Sequence, residues 1–144
     1  MTERFFLDTN VLIYADDRDA GDRRMRAREI LSEAFTQHNG VISTQVLQEY
    51  FSVATHKLGI KPDATRKRVE LLATMDVVRI DVSLILAGID LVRLHSVAFW
   101  DALIIQSAKI AGCRLLLTED LQHGRVFNSL RVENPFRDNE PTRG

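Results

Sequence analysis

Short apolar runs alternating with stretches of helical spacing leave this chain few folds. The runs fall at residues 4–7, 41–42, 77–80, 114–118 and 131–133. They are strand-sized and read as buried strands. Between them lie helical patterns. Residues 21–38 space Ala27, Ile30, Leu31, Ala34 and Phe35 along one face. Ser43 is placed to cap a second helix, with Val46, Leu47, Tyr50, Phe51 and Ala54 inward. After Gly59 and Pro62 a third helix covers residues 64–73, with Val69 and Leu72 inward. Ser83 is placed to cap a fourth that reaches Leu94, and a fifth runs from Phe99 to a stop at Gly112. Strands joined by helices of this length require right-handed crossovers. The expected fold is a three-layer α/β/α sandwich around a central parallel sheet of four or five strands. No repeat, low-complexity segment or linker divides the 144 residues. One domain is expected, with its core at 4–135 and a polar tail at 137–144.

A chain of this length buries roughly 68–70% of its unfolded surface, enough for a self-supporting core. The net charge of −1 neither announces a nucleic-acid partner nor excludes one. The single cysteine, Cys113, has no internal disulfide partner, and no Cys/His grid suggests structural zinc. The start carries Glu3 and Arg4 and passes straight into a strand, unlike a signal peptide. No apolar run approaches the length that spans a bilayer. A cytoplasmic protein without membrane contact is expected.

Ligands of parallel sheets bind at the carboxyl ends of the strands, so the acids there carry the argument. Asp8 directly follows the first strand and Asp120 lies just past the fourth. Glu49 lies inside the helix after the second strand. Asp101 opens the helix that leads into the fourth, between Trp100 and the apolar run 102–105, where an unpaired carboxylate is costly. Each has an ordinary reading: helix cap for Asp8, dipole partner for Asp101, solvated side chain for Glu49, turn residue for Asp120. Together at one sheet edge they would repel and raise one another's pKa values. A divalent cation relieves that repulsion. Mg²⁺ takes carboxylate oxygens, keeps several waters and completes its shell with phosphate. Two such ions about 3.5–4 Å apart can hold the attacking and leaving oxygens of a phosphodiester in line.

The segments that carry these acids are Phe-Leu-Asp-Thr-Asn at 6–10, the helix start at 43–49, Trp-Asp-Ala-Leu at 100–103, and Leu-Leu-Thr-Glu-Asp-Leu at 116–121 followed by Gly124. In this order and spacing, over residues 4–135, the chain resembles the PIN-domain ribonucleases, and among them the VapC-type toxins of prokaryotic toxin–antitoxin pairs. The resemblance implies that Asp8, Glu49, Asp101 and Asp120 form the catalytic, metal-binding set for Mg²⁺ or Mn²⁺. It implies that Asn10 and Thr118 orient the acids, as polar supports of metal sites do. Glu119 is an extra acid whose direction stays open. The implied activity is endonucleolytic cleavage of RNA phosphodiesters by a metal-activated water. The implied partners are an RNA substrate, a second copy in a homodimer, and a protein antitoxin. The apolar residues of the 21–35 and 44–58 helices would suit an amphipathic partner helix, or ordinary core packing.

Rival readings meet specific obstacles. A HAD-like phosphatase wants a second aspartate two residues after the first, where Asn10 stands. A receiver domain offers Asp81 as phosphoacceptor but lacks the acidic pair after the first strand. A metal-free interaction domain would not need all four acids. The arginines at 18, 23, 24, 26 and 28 are interleaved with Asp16, Asp17, Asp19 and Asp22, which favours local ion pairs over RNA contact. Trp100 could stack a base, but its apolar flanks favour packing. His56, His95 and His123 lack the spacing of a zinc pair.

Overall fold

The computed structural model describes residues 3–137; apart from its first residue, the polar tail expected at 137–144 lies outside the described residues. The chain runs β1 (Phe5–Leu7), α1 (Thr9–Asp16), α2 (Asp22–Gln37), β2 (Gly40–Ser43), α3 (Thr44–His56), α4 (Pro62–Leu72), β3 (Asp76–Val78) and α5 (Val82–His95). It continues through α6 (Phe99–Ile110), β4 (Leu115–Leu117), β5 (Val126–Phe127) and β6 (Leu130–Glu133). The strands form one sheet in the order β3-β2-β1-β4-β6-β5, parallel from β3 to β6. Helices flank it, giving the expected three-layer sandwich.

Two elements go beyond the sequence reading. β5 is a sixth strand, antiparallel to β6 and two residues long. Its hairpin turns through Asn128 in the left-handed region, φ 57°, a conformation asparagine tolerates better than most residues. The helix α1 starts immediately after β1, and Val11, Leu12, Ile13 and Ala15 are all buried. The third strand sits slightly earlier than expected, at Asp76–Val78.

Local chemistry sets the element ends. Ser43 caps α3 as expected, its hydroxyl accepting from the Val46 amide at 3.3 Å. The cap of α5 is Asp81 rather than Ser83, and its carboxylate accepts from the Leu84 amide at 2.9 Å. Both residue types cap well; Asp81 has the extended backbone at the turn, while Ser83 is already helical. Gly112 follows α6 with φ 72°, the left-handed stop expected there. On α3, Val46, Tyr50 and Ala54 face inward as expected, but Phe51 is 40% exposed.

Phe6, Leu7, Val41, Ile42, Leu116 and Val132 in the central strands are fully buried, as strands covered on both faces must be. The layers approach closely at Gly40, where an added Cβ would lie 2.5 Å from the Ala34 Cβ of α2. Because Ala34 has no flexible end to move, Gly40→Ala is expected to cost about 1–3 kcal/mol of stability by overpacking. A denaturant midpoint unchanged from wild type would contradict this packing. Among the described residues, no single helix is long and apolar enough to cross a membrane.

The strand order places the site. From β1 the chain adds β2 and then β3 on one side, then crosses back to add β4 on the other side of β1. The direction of winding therefore reverses between β1 and β4. A crevice opens beyond the carboxyl ends of the strands at such a point. Leu7 pairs with Leu117, so the next residue of each strand, Asp8 and Thr118, emerges side by side at this edge.

Candidate active site

Asp8 is buried, 6% exposed, and its backbone is held by an amide bond to the Leu117 carbonyl at 3.1 Å. One carboxylate oxygen accepts from the Thr9 amide at 2.7 Å, capping α1. The other accepts from the Thr118 hydroxyl at 2.7 Å. That hydroxyl is the junction of the site. It also accepts from the Asn10 side-chain amide at 3.2 Å and from the Asp120 backbone amide at 3.0 Å. The same Asn10 amide donates to the Asp120 carboxylate at 3.1 Å. Thr118 thus uses its one donor and both acceptor positions, tying the ends of β1 and β4 together. Asn10, engaged as an amide donor to two oxygens, does not supply the second carboxylate of a HAD-like phosphatase.

Thr118→Val keeps the shape and removes all three bonds, leaving buried polar groups unpaired. It is expected to cost about 1–3 kcal/mol in thermal unfolding. A melting curve that superimposes on wild type would show that the hydroxyl is not the junction described.

Glu49 and Asp101 reach the same region from α3 and α6. Glu49 is exposed and Asp101 half-buried. A buried side chain ties their helices together: the Gln45 amide donates to the Trp100 carbonyl at 3.2 Å, across 55 residues of sequence. Gln45 was not legible as part of the site, because a glutamine one turn before Glu49 reads as surface until α6 lies against it.

The electrostatics join all four acids. Burial pushes the Asp8 carboxyl up from 3.8 to about 7; hydrogen bonds from Thr118 and Thr9 oppose the rise, and the charges of Asp120 and Glu49 add to it. Glu49 is raised by desolvation, opposed by Gln45, and raised further by Asp120 and Asp101. Asp101 is raised by desolvation and then by Asp120. Asp8, Glu49 and Asp101 thus each feel the charge of Asp120, the kind of repulsion expected where carboxylates share a site.

The donor set suits a hard divalent cation: four carboxylates and the buried Asn10 carbonyl oxygen, which has no hydrogen-bond partner. Among the described residues no three acidic, histidine or cysteine side chains converge into a preformed cage. Mg²⁺ does not need one, since it binds through one or two carboxylates and keeps waters for the rest.

Other sequence expectations resolve as follows. Glu119 turns to the side: it accepts from the Tyr14 hydroxyl and lies 3.6 Å from the Arg23 guanidinium. Arg26 meets Glu29 at 3.5 Å, and Arg28 donates to the Ala15 carbonyl at 2.9 Å. Asp16 takes the Tyr50 hydroxyl at 2.5 Å and pairs with Arg68. Much of the basic stretch is therefore engaged within the protein. His123 accepts from the Asn134 amide at 3.0 Å. Trp100 does not pack as its neighbours suggested; it is 66% exposed, because Ala102–Ile105 take the buried face of α6.

Comparison with known proteins matches residues 5–127 to a family model described as the PIN domain. Comparison with curated proteins finds no match. Three solved structures share the fold. A toxin–antitoxin complex from Klebsiella pneumoniae is 20% identical with TM-score 0.65, covering 91% of this chain and 97% of that one. Mycobacterium tuberculosis VapC20, described as a sarcin–ricin loop cleaving toxin, is 16% identical with TM-score 0.67, covering 81% and 91%. A DNA-bound VapBC from Salmonella typhimurium is 21% identical with TM-score 0.65, covering 93% and 99%.

Proposed function

Because the chain belongs to the PIN-domain family, we propose that it is a divalent-metal-dependent endoribonuclease, the toxin of a toxin–antitoxin pair. The observation that carries this reading is the hydrogen-bonded link from Asp8 through Thr118 and Asn10 to Asp120, beyond the point where the sheet reverses its winding, with the Glu49 charge reaching Asp8 and the Asp101 charge reaching Glu49. In one domain, 4–135, these four acids are the catalytic and metal-holding set. A Mg²⁺ or Mn²⁺ held by these carboxylates would supply activation of a water and neutralisation of charge on the phosphoryl oxygens.

The chain's own residues position that chemistry. Thr118 fixes the rotamer of Asp8, and Asn10 fixes Asp120 relative to Thr118. Supports of this kind change metal affinity or activity about 10–100-fold when lost. Glu119 serves outside the set, holding Tyr14 and Arg23 against the end of β4.

RNA as substrate and an antitoxin as partner follow from the company the fold keeps: VapC20 is described as cleaving the sarcin–ricin loop, and other neighbours are toxin–antitoxin complexes. A cytoplasmic homodimer completes the reading. The α5 residues Val82, Leu86 and Ile89 offer an exposed apolar face for the second copy.

The test is incubation of purified protein with a mixed RNA pool in Mg²⁺, Mn²⁺ or EDTA. Internal cleavage in metal that stops in EDTA is the expected result. Cleavage undiminished in EDTA would contradict the metal assignment, and an intact pool in every condition would contradict ribonuclease activity on those RNAs.

A further inference from the structure

Among the exposed apolar side chains, Trp100 stands apart by its position. Several of the others, Val82, Leu86, Ile89 and Leu94, lie on α5. Trp100 occupies the first turn of α6, immediately before Asp101. It is 66% exposed, yet its mount is fixed. Its carbonyl accepts from the buried Gln45 amide at 3.2 Å, and its ring makes a T-shaped contact with Phe99, centroids 5.1 Å apart at 66°. A T-shaped contact with one ring leaves at least one face of the indole clear of Phe99. No arginine or lysine covers the ring among the described residues. Trp100 is thus a large exposed aromatic on a hydrogen-bonded backbone, one residue from Asp101.

We infer that Trp100 is the platform on which an unpaired base of the RNA stacks, beside the phosphodiester held at Asp101. This rests on the ribonuclease reading above and narrows it to a class of substrate. A base inside a duplex has both faces occupied by its neighbours, whereas a base in a loop or single strand can be splayed onto an aromatic ring. The selected RNA is therefore unpaired at the cut. Stacking accepts any base, so Trp100 selects strandedness more than sequence.

Trp100 is the chain's single tryptophan, so its emission reports this site alone. The experiment follows emission of Asp8→Asn protein in Mg²⁺ as three ligands are added: a ten-nucleotide oligoadenylate, the same strand paired with its complement, and an abasic chain of equal length. Saturable quenching by the single strand is expected, with much weaker quenching by the other two. In parallel, anisotropy of the labelled single strand should show near-normal binding by Trp100→Phe and about tenfold or greater loss in Trp100→Leu.

Binding that leaves the emission unchanged, no binding at all, or wild-type affinity in Trp100→Leu would overturn the inference. So would a blue shift on raising protein concentration without RNA, which would make Trp100 a contact between copies. The two readings fail separately. Quenching by a wild-type protein that cleaves nothing in any metal would remove the ribonuclease and leave the platform. Metal-dependent cleavage at full rate by Trp100→Leu would remove the platform and leave the ribonuclease.

Discussion

On the ribonuclease reading, Asp101→Asn protein is expected to fold normally and to cleave RNA at least about a hundredfold more slowly than wild type. The expectation of normal folding comes from its surroundings. Asp101 is half-buried in the first turn of α6, and among the described residues its carboxylate accepts no hydrogen bond. Its contribution to stability is then mainly a favourable position near the helix N-terminus, about 0.3–1 kcal/mol, partly offset by the repulsion it shares with Asp120 and Glu49. The expected loss of cleavage comes from the cation. Removing even a residue that only supports a metal ligand costs about 10–100-fold, and a ligand itself should cost at least as much. Initial cleavage rates beside thermal melts would separate the two effects. Full activity with an unchanged melt would place Asp101 outside the metal set; lost activity with a collapsed melt would make it structural.

In metal-free buffer at pH 8, Asp8→Asn protein is expected to be more stable than wild type. The folded Asp8 carboxyl titrates at about 7 against an ordinary 3.8. Between those values the folded protein holds a proton that the unfolded chain has released. Folded protein binds more protons there, so stability falls as pH rises through the window. The full gap is worth on the order of 4 kcal/mol by pH 8. Asparagine never ionises and avoids that cost, while impairing the Thr118 bond gives back about 1–1.5 kcal/mol. The net gain is about 2–3 kcal/mol at pH 8, vanishing or reversing near pH 4. Denaturant unfolding of both proteins at the two pH values measures it. A mutant less stable than wild type at pH 8 would mean that the folded carboxylate is well solvated or paired. Excess Mg²⁺ should raise wild-type stability and leave the mutant nearly unchanged, since a ligand that binds only the folded state stabilises by mass action.

The strand–helix alternation was legible because its signals are local. Ser43 announces α3, Gly112 ends α6, and the runs that end at Asp8 and near Asp120 lie where sheet register later sets them side by side. What stayed hidden depends on contacts remote in sequence. The helix α1 has no polar face to give it a period, because it is buried among other elements. β5 is two residues long and exists only through its pairing with β6. Glu119 looked like a fifth acid until Tyr14 and Arg23, more than ninety residues earlier, came to meet it. Trp100 looked like core because its neighbours are apolar, but α6 had enough of them to bury a face without it. At the candidate site the sequence singled out the four acids, whereas Gln45, which ties α3 to Trp100, gave no signal.

The central claim, that these acids form one cation site built around a protonated Asp8, is tested most directly by calorimetric titration of Mn²⁺ at pH 6 in two buffers of different ionisation enthalpy. A cation displaces the protons of its ligands on binding, and with a carboxyl at about 7 Asp8 is mostly protonated at that pH. The account predicts saturable binding with release of close to one proton, near zero release at pH 8.5, and no comparable release in Asp8→Asn. Absence of binding, or binding whose heat is the same in both buffers and unaffected by Asp8→Asn, would contradict it.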